Sequence, residues 1–324
     1  MLIKNTWVGG LAAASIVWLS ACGGRHESIE TYSLVTANTK IAYWADAASG
    51  LTAAAKELGV RADVNGPEGY DPKAEKEEFL KVVARNPPPA GILVSAADPD
   101  LMRDAIDSAV AKGIPVVTID ADSPKSKRLT FIGTNNYEAG QIGGDILAKD
   151  LKGKGDVVVY TIPGPANLEE RLEGYKRALA RESGIKISRV IDIKGDPSAA
   201  FDATQAIVQK GGKLPDGFVC VEALACAEVA DVLQRSNVTG KTIIAMDASP
   251  STLQWIQKGV IQATIAQRPY TMAYYGLRVL DDLHHNKTAR ASGAQPTLPV
   301  FIDTGTVVVD SSNAGTFLSG ADLK

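Results

Sequence analysis

Histidine is nearly absent from this 324-residue chain, which holds three: His26 near the start, and His284 with His285 late in the sequence. None is left in the body to act as the base of a nucleophilic triad, and a helix-end dipole accounts for the late pair. Cysteine is as sparse, also three, and no Cys/His spacing of a metal-binding kind occurs. Neither a Gly-rich phosphate loop nor a nucleophile elbow is found, so no cofactor and no metal are expected. The formal net charge is -3, where a nucleic-acid surface needs clustered Lys and Arg. In the body no helical run is long enough to cross a membrane. With 45% hydrophobic and 22% charged residues, the chain is an ordinary globular one, long enough for two domains.

What is present begins with a leader. Lys4 supplies a positive start, Trp7 to Leu19 is apolar, and Leu19-Ser20-Ala21-Cys22 closes it with small residues. Followed by Gly23-Gly24, this resembles the bacterial lipoprotein signal, in which the cysteine is lipidated and becomes the first mature residue. The alternatives are a plain secretory signal and an uncleaved anchor. Residues 1–21 are then the signal and 22–32 a flexible polar tether. An exported chain permits a disulfide. Cys220 falls in an expected strand and Cys226 in the helix after it, however, so they read as two small buried side chains.

The body repeats itself. Gly91-Ile92-Leu93-Val94, a helical stretch, and Gly113-Ile114-Pro115-Val116-Val117-Thr118-Ile119-Asp120 return as Gly217-Phe218-Val219-Cys220, a helical stretch, and Gly240-Lys241-Thr242-Ile243-Ile244-Ala245-Met246-Asp247. The offsets are 124 (Gly50 to Gly174), 126 (Gly91 to Gly217) and 127 (Asp120 to Asp247). A near-constant offset implies two copies of one α/β fold, each ending a buried strand on an aspartate. Strand-like runs alternate with helix-like ones, the pattern of a parallel sheet covered on both faces. First-lobe strands are expected at about 33–38, 61–64, 91–95, 115–119 and 130–133, with helices at about 46–58, 72–85 and 99–112. Changes of lobe fall near Asn135-Asn136, Gln267-Arg268-Pro269 and Asp303-Thr304. They divide the chain into 33–135 plus 268–303 and 136–267 plus 304–324, two Rossmann-like lobes on a three-strand hinge.

Ligands of such sheets bind outside the carboxyl ends of the strands. The residues expected there are Asn38, Ser95, Asp120, Glu222, Asp247 and Gln267, a set rich in acceptors. Carboxylates and amides can each take two hydroxyls, which suits a polyol or sugar; capping of a following helix is the alternative for either aspartate. Tyr43-Trp44, expected in the loop before the first helix, could stack on a sugar face or simply pack into the wall. Arg171 either reaches the cleft or pairs with Glu169 or Glu170 on an exposed face. A glycosidase needs an acid beside a nucleophile, and Asp120 and Asp247 belong to opposing lobes, so no enzymatic activity is expected.

Taken together, Gly113 to Asp120, Ile132-Gly133-Thr134-Asn135-Asn136 with Ala139-Gly140, Arg171-Leu172-Glu173-Gly174-Tyr175, and Ala263-Thr264-Ile265-Ala266-Gln267 with Pro269 resemble the periplasmic sugar-binding proteins of the ribose-binding type. These share their core with lac-repressor-type regulators, and the likeness covers about 33–310. The resemblance implies that Tyr43 and Trp44 sandwich a ring, and that Asp120, Arg171, Asp247 and Gln267 bind hydroxyls. Ser95 and Glu222 stand where the ribose binder has asparagines. Ala121 replaces an arginine, Ile41 an asparagine and Pro197 an aromatic contact. Losing the arginine while gaining Glu222 shifts the pocket toward acceptors and a donor-rich ligand or an amine. It further implies a monomeric, lipid-anchored protein of the periplasm or cell surface that captures a monosaccharide for the permease of an ABC importer. A ligand-presenting partner of a chemoreceptor or sensor kinase is the other reading. A DNA-binding regulator is excluded by the leader and the lack of a helix-turn-helix ahead of residue 33.

Overall fold

The structure is a computed structural model and describes residues 26–27, 29–285 and 298–318; Cys22 and the leader lie outside them. Two six-stranded sheets form the frame. The first takes β1 (Thr31–Val35), β2 (Arg61–Asn65), β3 (Gly91–Val94), β4 (Val116–Ile119), β5 (Phe131–Gly133) and β11 (Phe301–Asp303), in the order β2-β1-β3-β4-β5-β11. The second takes β6 (Lys154–Thr161), β7 (Gly184–Asp192), β8 (Gly217–Cys220), β9 (Thr242–Met246), β10 (Ala263–Ala266) and β12 (Val307–Asp310), in the order β7-β6-β8-β9-β10-β12. The two orders correspond strand for strand, which is the duplication seen in the sequence. All pairings are parallel except β10 with β12. Ten helices among the described residues cover the sheets: α1 (Ala42–Leu58), α2 (Pro72–Val83), α3 (Pro99–Ala111), α4 (Asn136–Asp150), α5 (Ala166–Leu179), α6 (Pro197–Gln209), α7 (Ala225–Arg235), α8 (Pro250–Gln257), α9 (Pro269–His285) and α10 (Ala314–Leu318).

The period of two along each strand sorts the cores. Leu34 and Leu93 face one side of the first sheet with residues of α1 and α9, while Val35, Ile92 and Val94 face the other with residues of α2 and α3. Helix starts follow local chemistry. Asp71, Asp98 and Asp196 accept first-turn amides ahead of Pro72, Pro99 and Pro197, where a proline's missing N–H costs nothing.

The chain passes between the sheets three times, after β5, after β10 and after β11. The crossings are bonded to one another. Thr134 Oγ1 donates to Gln267 Oε1 at 2.8 Å, the Asn135 amide to Asp303 Oδ1 at 3.2 Å, and the Thr304 amide to the Gly133 carbonyl at 2.8 Å.

Several expectations need correction. Helix α1 starts at Ala42, so Tyr43 and Trp44 lie in its first turn, not in a loop; Ile41 at the N-cap makes no side-chain bond and gives no start signal. Strand β1 ends at Val35, which places Asn38 in the following loop. Helix α4 was not expected, because Gly140, Gly143 and Gly144 weaken its helical propensity. Near the third change of lobe the chain forms two short strands, β11 and β12, one in each sheet. In the expected tether, Glu30 and His26 sit against the end of α9 and β1 has begun at Thr31.

Cys220 and Cys226 form a disulfide, with 5.7 Å between their Cα atoms. The reason is local. Helix α7 starts at Ala225, and Glu222 folds back to take the amides of Leu224 and Ala225 at 2.5 and 3.1 Å. The turn is therefore tight enough to return the first turn of α7 to the end of β8, within bridging distance.

Candidate functional site

All nine residues singled out from the sequence line one cavity of about 110 Å³ at the carboxyl ends of the two sheets. Asp120 and Asp247 follow β4 and β9, and both adopt the left-handed region, with φ of 61° and 66°. A non-glycine residue held there is strained unless its surroundings fix it. The duplication thus repeats a backbone conformation as well as a residue type.

Neither aspartate caps a helix; Ser249 caps α8. Asp120 instead accepts from Tyr43 Oη at 2.8 Å on Oδ1 and from Ser95 Oγ at 2.9 Å on Oδ2, with Asn167 Nδ2 at 3.5 Å. Asp247 Oδ1 accepts from Gln267 Nε2 at 3.0 Å, and Gln267 is itself held by Thr134 from the first crossing. The capping role falls on Glu222, both of whose oxygens are engaged by α7. Part of the acceptor capacity expected of Glu222 in the pocket is therefore spent on these amides.

Arg171 is the one cation among the lining residues, and it is 2% exposed. It makes no surface pair with Glu169 or Glu170. Nε donates to Asn136 Oδ1 at 2.9 Å and Nη1 to the Val221 carbonyl at 2.8 Å, while Nη2 is buried with no partner. A buried guanidinium donor left unmatched is costly, and Arg171 lines the cavity. Packing puts it there: a Cβ on Gly140 would meet the Arg171 carbonyl, and one on Gly174 the Tyr137 carbonyl, so α4 and α5 touch backbone to backbone.

Burial raises the carboxyls. Asp247 is pushed up to about 6 and Glu222 to about 7, in each case chiefly by desolvation. Asp120 also rises through burial, against the opposing pull of the Arg171 charge and its own hydrogen bonds. The Tyr43 hydroxyl is driven well up by burial and then by Asp120, so it stays a donor. Trp44 packs in the core of the first lobe and meets Tyr43 edge to face at 5.1 Å.

Residues 32–288 match the model of the periplasmic binding protein domain. The chain belongs to the periplasmic binding protein family. Among curated relatives, the ribose import binding protein RbsB of Bacillus subtilis is 27% identical over 212 residues, 63% of this chain and 66% of that protein. The D-allose-binding periplasmic protein of Escherichia coli is 24% identical over 262 residues, 78% and 83% of the two chains. The chain thus spans just under two thirds of the Bacillus relative's length. Among solved structures, the arabinose-binding protein AraP of Geobacillus stearothermophilus is 32% identical with a TM-score of 0.75, covering 89% of this chain and 99% of that one. An ABC transporter solute-binding protein of Burkholderia graminis, in complex with D-arabinose, is 28% identical with a TM-score of 0.80, covering 89% and 98%.

In this periplasmic binding protein the substituted positions divide between two spaces. Ala121 lines the inner cavity, Pro197 lies on an adjoining one of about 430 Å³, and Ile41 lines both. Asn167 and Tyr70 also line the inner cavity and were not singled out from the sequence. Asn167 stands one helical turn before Arg171 on the same face of α5, and that spacing could have found it.

Proposed function

We propose that the chain captures a monosaccharide in this cavity and delivers it to the permease of an ABC importer. The observation that carries the reading is the polar set at one point: Asp120 from one sheet, Asp247 from the other, and between their fields a buried Arg171 with an unmatched Nη2. Paired carboxylates, amides and one guanidinium bind hydroxyls and a ring or carbonyl oxygen together, and Tyr43 with Trp44 offers apolar wall. The names of the relatives, which bind ribose, allose or arabinose, support the same class. Nothing in the set supports turnover, since Asp120 and Asp247 are each held in hydrogen bonds on separate lobes.

The chain works outside the cytoplasm, anchored through lipid on Cys22; the Cys220–Cys226 disulfide supports an oxidising compartment. Thermal-shift and calorimetric titration over pentoses, hexoses, polyols and nucleosides tests the reading. A ligand at 100 times its Kd adds about 2.7 kcal/mol, a rise of several degrees, and the expected hit is a monosaccharide other than ribose because Ala121 offers no guanidinium. No response from any sugar, or a response confined to nucleosides, removes the proposal.

A further inference from the structure

All three histidines of the chain lie at the opposite end of the first lobe from the cavity, where β1 begins and α9 ends. His285 donates Nδ1–H to the Asp281 carbonyl at 2.9 Å, with Asp281 Oδ1 at 3.1 Å from the same nitrogen. Asp281 is fixed in turn by the Tyr32 hydroxyl at 3.1 Å and by His26 Nε2 at 3.0 Å. A neutral imidazole whose Nδ1 carries the proton presents a lone pair at Nε2. That lone pair faces Glu30 Oε1 at 3.2 Å, so two acceptors confront each other unless a proton or a cation lies between them. The other oxygen, Glu30 Oε2, is buried with no hydrogen-bond partner, in a side chain 10% exposed. One ligand atom from each of Glu30, His284 and His285 lies within 4.8 Å of the others.

We propose that Glu30, His284 and His285 bind a divalent transition-metal ion of the zinc class. Two imidazoles and a carboxylate are a common ligand set for zinc, with one position left for water. Around a tetrahedral ion with bonds of about 2.0–2.1 Å the ligand atoms sit about 3.3 Å apart, close to the Glu30–His285 spacing. Asp281 supplies the outer support that orients a ligating histidine and fixes its tautomer. The ion would clasp the start of the chain body to the end of α9, far from the sugar cavity. The sequence hides the site because Glu30 and His285 stand 255 positions apart.

The test uses the full chain, purified without a histidine tag and stripped with chelator, then titrated with zinc chloride, with calcium chloride as the control. One zinc ion per chain is expected to survive dialysis and raise the melting temperature, with no response to calcium. Asp281→Asn is expected to weaken zinc binding about 10–100-fold, and Glu30→Gln and His285→Gln each to weaken it further. Unchanged metal-free melting of the nearly isosteric Glu30→Gln keeps a folding defect separate. Failure to retain zinc overturns the proposal. So does wild-type affinity in both Glu30→Gln and His285→Gln, or a loss confined to His26→Ala, which would put the ion on the His26–Asp281–His285 side instead.

Discussion

At the residue scale the cavity is governed by one cation among three carboxyls. Asp247→Ala leaves Arg171 with one charged neighbour fewer and takes away an acceptor, so sugar affinity is expected to fall by about 2–5 kcal/mol, the range for truncating one partner of a buried charged pair. Titration calorimetry reads this directly, and an unchanged Kd takes Asp247 out of the site. The raised carboxyls set a pH dependence. Asp247 at about 6 and Glu222 at about 7 hold protons in the folded chain that the unfolded chain has already lost above 3.8 and 4.5. Their contribution to stability is therefore complete below the ordinary carboxyl range and is lost as pH rises through 6 to 7. The ligand-free protein should melt progressively lower from about pH 4 to about pH 7 and change little above that, other groups being equal. A hydroxyl that donates to Asp247 prefers the ionised form, so sugar affinity should rise as pH passes through about 6, with protons released. Calorimetry in two buffers of different ionisation enthalpy measures that release, and a flat affinity would leave the carboxyl outside the ligand contact.

At the element scale, close helix packing places the cation. The small residues of α4 bring it against α5 at Gly140 and Gly174, and this contact holds Arg171 where Asn136 and the Val221 carbonyl can fix it. Gly140→Ala meets backbone, which cannot yield as a flexible side chain would. The variant is expected to lose about 1–3 kcal/mol of stability, the usual cost of overpacking, and to bind sugar more weakly through displacement of Arg171. Denaturant unfolding alongside calorimetry separates the two effects; wild-type behaviour in both means the helices part without consequence. Gly140, with Gly143 and Gly144, also hid α4 from the sequence, since a residue chosen for close approach is a poor helix former. The β8–α7 turn likewise combines two roles, because Glu222 caps the helix and lines the cavity while the disulfide closes the loop that carries it.

At the scale of the whole molecule, two sheets of matching order are joined by three mutually bonded crossings, which are expected to resist twist and permit bending. A solute that bonds Asp120 on one side and Asp247 on the other has greater affinity for the closed form and shifts the population toward it. Saturating sugar should therefore reduce the radius of gyration in small-angle scattering. An identical profile with and without bound sugar would mean that the lobes do not move. The sequence by itself determined the duplication, the alternation of strand and helix, and the two strand-end aspartates. Those follow from local periodicity and from residue types repeated at a near-constant offset. Tertiary structure decided what those residues do: that Glu222 caps, that Arg171 is buried with one donor unmatched, that Cys226 returns to Cys220, and that Glu30 meets His285. Such outcomes depend on which distant segments touch, and spacing along the chain does not encode that.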